Sequence, residues 1–197
     1  MTAVVLDGVV DGLDEAAYFA HPALSVSGAK KLLPPSCPAL FQWERENAPA
    51  PRRSFDLGHA AHSLVLGVGA EIVVVEAADW RTKAAKEAAD LARAEGKVPL
   101  LPDDHATVQA MAARLREHPT AARLFDPERG RAEVSLFWED WAFGVSRRSR
   151  LDWLPDTDGG RVTVVDYKTT TAVDRDSLSK AVASFGYAMQ DLSLIHI

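Results

Sequence analysis

The sequence predicts an α/β (α+β) domain, and three observations carry that prediction. Helical apolar spacing runs from Leu24 to Leu66 and again from Thr82 to Glu117. Strand-type patterning then fills Arg131 to Lys168, and a helical segment, Ser177–Gln190, follows it. Three consecutive strands with helices on both sides in sequence describe a sheet that packs helices.

Between Leu24 and Trp43 the pattern reads as two short helices. Ser25 and Ser27 are hydroxyl caps for the first, whose apolar positions include Ala29, Leu32 and Leu33, and Pro34-Pro35 stops it. In the second, Pro38 follows Ser36-Cys37 and suits a first turn, with Leu40, Phe41 and Trp43 on the apolar side. Ala48–Arg53 is a proline-rich basic loop, after which Asp56 caps a helix over Leu57–Leu66 that Gly67 closes. Glu71–Glu76 (EIVVVE) has the β-branched composition of a strand. Thr82–Glu95 and Asp103–Glu117 are helical. The first is rich in alanine and charge and reads equally as a solvated arch or a packed helix; KVPLLP between them is an extended link.

From Arg131, RAEVSLFWED alternates at period 2, with Ala132, Val134, Leu136 and Trp138 on one face and Glu133, Ser135 and Phe137 on the other. Glu139-Asp140 is the expected turn into a second strand, Trp141–Trp153. Asp156–Gly160 is a strong turn signal, and Arg161–Lys168 (RVTVVDYK) is the third strand. Trp138, Trp141, Phe143 and Trp153 are expected in the core of these strands.

Composition narrows the function classes. The chain has 197 residues, 47% hydrophobic and 25% charged, which excludes a mainly disordered chain, a coiled coil and a collagen-like repeat. With 28 acids against 22 bases the formal charge is -6, so no bulk positive charge is available to coat nucleic acid. A nucleic-acid role therefore needs a local site, and an acidic site would itself need a cation. The one cysteine, Cys37, excludes an internal disulfide, a four-cysteine zinc site and a thiolate-ligated iron–sulfur cluster; it is expected as a small buried apolar residue. No run reaches the ~20 apolar residues of a membrane span. The start MTAVVLDGVVDGLDE lacks the basic region of a signal peptide, so a cytoplasmic location without a membrane partner is expected.

The chemistry concentrates in LDWLPDTDGGRVTVVDYKTT. If Leu151–Trp153 and Val162–Lys168 pair as a hairpin, Asp152 and Asp166 meet at one sheet edge, with Lys168 on the same face as Asp166 and Tyr167 opposite. Two carboxylates and a neighbouring backbone carbonyl are hard oxygen donors suited to Mg2+ or Mn2+. Such an ion lowers the pKa of a bound water and offsets charge on a phosphoryl oxygen, and a lysine beside it can position that water. A plain hairpin of solvated charges is the competing reading. It is weakened by the buried-type VTVV ahead of Asp166 and the polar TTT after Lys168. Arg147, Arg148 and Arg150 are candidate phosphate holders, with a solvated strand face as the alternative.

These residues resemble the core of the PD-(D/E)xK nuclease superfamily, in which an acid on one strand faces a D/E-x-K on the next. Further segments resemble the exodeoxyribonuclease VIII (RecE-like) group of phage-type exonucleases. They are SVSGAKKLLPPSCPALFQWE, the G-x-x-x-H-x-x-L helix matched by Gly58, His62 and Val65 (valine for the usual leucine), the glutamate-bearing strand AEVSLFW, and FGYAMQ with Tyr-x-x-Gln. The five matches occur in the group's order over roughly residues 24–190.

The resemblance implies a restriction-endonuclease-like core, a central mixed β-sheet flanked by helices. It implies a Mg2+-dependent (or Mn2+-dependent) exonuclease acting on double-stranded DNA ends in phage-type recombination or repair, with a single-strand annealing protein and a homo-oligomer as expected partners. His62, Asp152, Asp166 and the Tyr167 carbonyl would hold the metal, and Lys168 would assist the attacking water. Glu133 would be an additional acid, and Tyr187 and Gln190 would contact DNA, alongside Arg148 and Arg150. A non-catalytic module for DNA ends or a protein partner is the alternative. Other nucleases of the superfamily, CRISPR-associated or helicase-attached, are disfavoured where they need a four-cysteine cluster or helicase motifs. Residues 1–191 are expected to form one such domain, incomplete at its C-terminus. Leu192–Ile197 (LSLIHI) is what the transposase adapter CTGTCTCTTATACACATC encodes, and these six residues are expected to be foreign.

Overall fold

A computed structural model describes residues 7–47, 53–157 and 159–195, with side chains through Asp191. The chain divides into two compact units. One comprises Met1–Pro49, Glu133–Leu151 and Thr170–Ile197, the other Ala50–Ala132 and Asp152–Thr169. The basic loop expected at 48–53 lies almost wholly outside the described residues, as do the last two residues of the 192–197 segment.

The first unit opens with β1 (Gly8–Val10), α1 (Glu15–Ala20), β2 (Leu24–Ser25), α2 (Val26–Lys30) and α3 (Pro38–Glu46). The hydroxyl of Ser25 accepts from the Gly28 amide and starts α2, as its position predicts. Pro38 occupies the first turn of α3 and Cys37 its N-cap, where the thiol makes no capping bond. Cys37 is exposed, correcting the expectation of a buried residue: it enters the helix from an extended cap outside any packed face.

The second unit holds α4 (Arg53–Leu66), β3 (Ile72–Val74), α5 (Lys83–Ala94), β4 (Val98–Leu100), α6 (Pro102–Glu117) and α7 (Pro119–Leu124). Helix α4 starts ahead of Asp56, so Asp56 is in its first turn and not its cap; the carboxylate accepts from the Arg93 guanidinium at 2.7 Å. Gly67, at φ 72°, closes the helix in the left-handed conformation that glycine adopts without penalty. In α5, Ala85, Ala89 and Ala92 are buried at helical spacing, which decides between the arch and the packed helix in favour of packing. KVPLLP is more than a link. Its Val98–Leu100 is β4, parallel to β3 and buried at every residue, as strands covered on both faces are. The core gathers Ala60 and Ala61 of α4, Val98 and Leu100 of β4, and Val108 of α6.

Two long strands follow, β5 (Gly130–Asp140) and β6 (Val145–Pro155). The four-stranded order is β1-β5-β6-β2, with β1 antiparallel to β5 and β2 parallel to β6. The result is a mixed sheet in an α/β protein, the predicted class. The strict alternation expected in β5 is not kept. Glu133 sits at φ 52°, and Val134, Ser135, Leu136 and Phe137 are buried in succession. Glu139 and Asp140 end the strand and do not form the turn. Trp141–Gly144 turns instead, with the Gly144 amide bonded to the Asp140 carbonyl at 2.8 Å. Trp141 and Phe143 are thereby 89% and 80% exposed, which overturns their placement in the core, whereas Trp153 is buried.

The expected third strand over Arg161–Lys168 forms only one bridge, Trp153 to Val165. Val162 and Val164 are exposed, so this apolar run gains no burial that would extend the ladder. The expected C-terminal helix is two helices of the first unit, α8 (Arg175–Ser184) and α9 (Tyr187–Ile195), broken at Gly186 with φ 60°. Among the described residues no helix is long and apolar enough to cross a membrane.

Candidate active site

Asp152 stands on β6 beside Trp153, whose backbone exchanges two hydrogen bonds with Val165 at 3.0 and 3.1 Å. That single bridge brings Asp166-Tyr167-Lys168 alongside Asp152. The next backbone donor, the Tyr167 amide, does not return to a strand carbonyl but donates to Asp152 Oδ2 at 2.7 Å. Asp152 thus replaces one rung of the ladder. The carboxylate gains a charge-assisted hydrogen bond, and the segment gains a fixed register.

Lys168 Nζ sits 2.5 Å from Asp166 Oδ2. The Tyr167 ring packs instead against the α4/β4/α6 core. This is the division the two-residue period predicts, with Asp166 and Lys168 together and Tyr167 opposite. His62 comes from α4, next to the buried Ala60 and Ala61. Its Nε2 lies 2.9 Å from the Tyr167 carbonyl and 3.8 Å from Asp152 Oδ2. Since the carbonyl can only accept, Nε2 carries the proton and donates.

Electrostatics single out Asp152, whose side chain is 15% exposed. Burial pushes its carboxyl above the ordinary carboxylate range, and the neighbouring Asp166 charge pushes it further. His62, Lys168 and the Tyr167 amide oppose that rise. Two acids that destabilise each other's charge, one of them withdrawn from water, are a donor set that a divalent cation would relieve. By chemistry, therefore, the two carboxylates and the Tyr167 carbonyl fit Mg2+ or Mn2+. His62 fits less directly, because the Nε2 that would ligate is engaged with that carbonyl. Among the described residues no group of three or more His, Cys, Asp or Glu side chains is gathered to hold a metal ion.

The remaining candidates belong to the other unit. Arg148 is buried, donates to the Tyr18 carbonyl and lies over the Tyr18 ring at 4.6 Å. Arg150 donates to Ser135 Oγ and to the Leu13 carbonyl, and its guanidinium is 3.6 Å from Glu133. Arg147 is held by Asp140 at 2.9 Å and stacks over Trp138. These guanidiniums are engaged inside the protein. Strand arginines look available in sequence, but here Tyr18 of α1, Leu13 just before it, and Glu133, Ser135 and Asp140 of β5 supply partners for them. Glu133 faces Arg150 as described, and Tyr187 stacks on Phe185 at 5.9 Å, while Gln190 lies half-buried on α9.

One contributor had no signal in the sequence. Phe125, which ends α7, sets its ring 6.4 Å from that of Tyr167 and 6.0 Å from that of Trp153. It belongs to no motif, and only the path of the chain brings it here.

Compared with known proteins, the chain matches the family model described as the PD-(D/E)XK nuclease superfamily over residues 23–189. No curated protein and no solved structure matches it. The matched range contains every residue placed around Asp152 above.

Proposed function

The chain belongs to the PD-(D/E)XK nuclease superfamily, and on that premise we propose that it is a metal-dependent exodeoxyribonuclease that hydrolyses phosphodiester bonds at double-stranded DNA ends, of the exodeoxyribonuclease VIII kind. The observation that carries the reading is the meeting of Asp152 with Asp166-Tyr167-Lys168, registered by the Tyr167 amide on Asp152 Oδ2 at 2.7 Å. Asp152, Asp166 and the Tyr167 carbonyl would hold Mg2+, and His62 would join them once its imidazole releases that carbonyl. When bound, the ion supplies an acidified water and charge compensation at the phosphoryl oxygen.

The protein's own part is positional and electrostatic. Lys168, tethered to Asp166, offers a cation and three N–H donors to orient the attacking water or to offset charge that grows on the phosphate. Half-buried Asp152 accepts from the Tyr167 amide and so fixes the Asp166–Tyr167 peptide, next to the carbonyl that would meet the ion. A role in phage-type recombination, a single-strand annealing protein as partner and a homo-oligomeric assembly belong to the same proposal.

The test is cleavage of linear duplex DNA with Mg2+ and its loss with EDTA, with closed circular duplex as the control for end dependence. Asp166→Asn and Lys168→Ala should each lower the rate by roughly 10²–10⁴-fold while the protein stays folded. Undiminished activity in either variant would remove the site assignment. A second reading is a non-catalytic module that binds DNA ends. DNA binding without metal-dependent cleavage would select it.

A further inference from the structure

Asp166 and Lys168 are exposed, and the segment that carries them has one strand bridge. Between them, Tyr167 is held by its amide on Asp152, by its carbonyl on His62 and by its ring. That ring stands edge-on between two others, with His62 at 5.4 Å and 63° and Phe125 at 6.4 Å and 89°. Phe125 in turn meets Trp153, the residue that makes the bridge to Val165. Four rings thus run in a row from α4 through the segment and α7 to β6.

We propose that Phe125 is a positioning residue for the candidate active site. Its ring buttresses Tyr167 on one side and Trp153 on the other, and so sets the backbone on which Asp166 and Lys168 project. Phe125 acts through Tyr167, whose ring it meets. Edge-to-face geometry suits this role, because the attraction between ring edge and ring face fixes angle as well as distance. The catalytic consequence rests on the nuclease reading above, whereas the positional one does not.

Amide hydrogen exchange on the full chain separates the two. Phe125→Ala should speed exchange at Val165 and Tyr167 by roughly 2- to 10-fold, the range expected for one lost aromatic pair. The Val75 and Val98 amides, bonded to Leu100 and Glu71 in the β3–β4 pair, should stay within about twofold as a control inside the same unit. Phe125→Tyr, which keeps the ring, should behave as the native protein, and Phe125→Leu, which keeps apolar volume without a ring edge, should behave as Phe125→Ala. On DNA, kcat should fall in Phe125→Ala with KM unchanged. Unaltered exchange at Val165 and Tyr167 overturns the proposal, and so does equal acceleration at Val75 and Val98. If Phe125→Ala does not fold, Phe125→Leu is read by the same two criteria. A native protein that cleaves no DNA overturns the nuclease reading, and the exchange result then stands on its own.

Discussion

Gly130 is where a single methyl group should report on how tightly the site's floor is packed. A Cβ there would lie 2.6 Å from Trp153 Nε1, 2.7 Å from Cε2 and 2.9 Å from Cζ2, all inside contact distance. The indole cannot swing aside into solvent, being 3% exposed with Phe125 against it. Relief must come from moving Trp153 or the start of β5, and Trp153 carries the bridge to Val165. Overpacking of a buried contact costs about 1–3 kcal/mol, so Gly130→Ala should lower Tm by roughly 2–12 °C in a chain of this size. Urea or thermal unfolding followed by circular dichroism measures it. The clash names its own compensation. Trp153→Phe removes the pyrrole nitrogen nearest the new methyl, and with it a buried N–H that has no hydrogen-bond partner. Gly130→Ala and Trp153→Phe combined should therefore be more stable than the sum of the single changes by about 1 kcal/mol or more. Strict additivity, or a Gly130→Ala protein as stable as the native one, would refute the packing argument.

Two further outcomes follow from the same geometry. Asp152→Asn should abolish cleavage yet raise stability at neutral pH in the absence of divalent cations, since the amide oxygen can still accept from Tyr167. Because the folded-state carboxyl is raised, the penalty of ionising Asp152 is absent below its ordinary range and complete above the raised value, so the variant's advantage in Tm should shrink as pH falls through that window. An advantage independent of pH would count against burial as the cause. Trp141→Ser and Phe143→Ser, at 89% and 80% exposed positions, should change unfolding free energy by no more than about 0.5 kcal/mol in denaturant titrations.

Much of the helical framework was legible residue by residue. Ser25 caps α2 and Pro38 opens α3 because capping and proline geometry are local: the groups they serve lie within one turn. The site's central pattern was legible for a similar reason. A two-residue period puts Asp166 and Lys168 on one side of the chain whether or not a regular strand forms. β1, α1 and α7, at three to six residues, are too short for a periodic signal, and β4 carries a proline that reads as a link until its neighbours bury it.

What the amino-acid sequence determined alone is the α/β class, the starts of α2, α3, α5 and α6, and the grouping of Asp152, Asp166, Tyr167 and Lys168 with His62 as candidates. Tertiary structure alone decided how each of those groups is spent. It converted a full third strand into a single bridge completed by the Asp152 carboxylate, turned the arginines of β6 inward onto Tyr18, Leu13 and Asp140, and brought Phe125 against Tyr167. The division has one physical cause. Caps and periodicity depend on atoms a few residues apart, whereas burial, ion-pair partners and ring contacts depend on segments that meet only when the chain closes: Asp152 and Tyr167 are 15 positions apart, His62 and Tyr167 are 105.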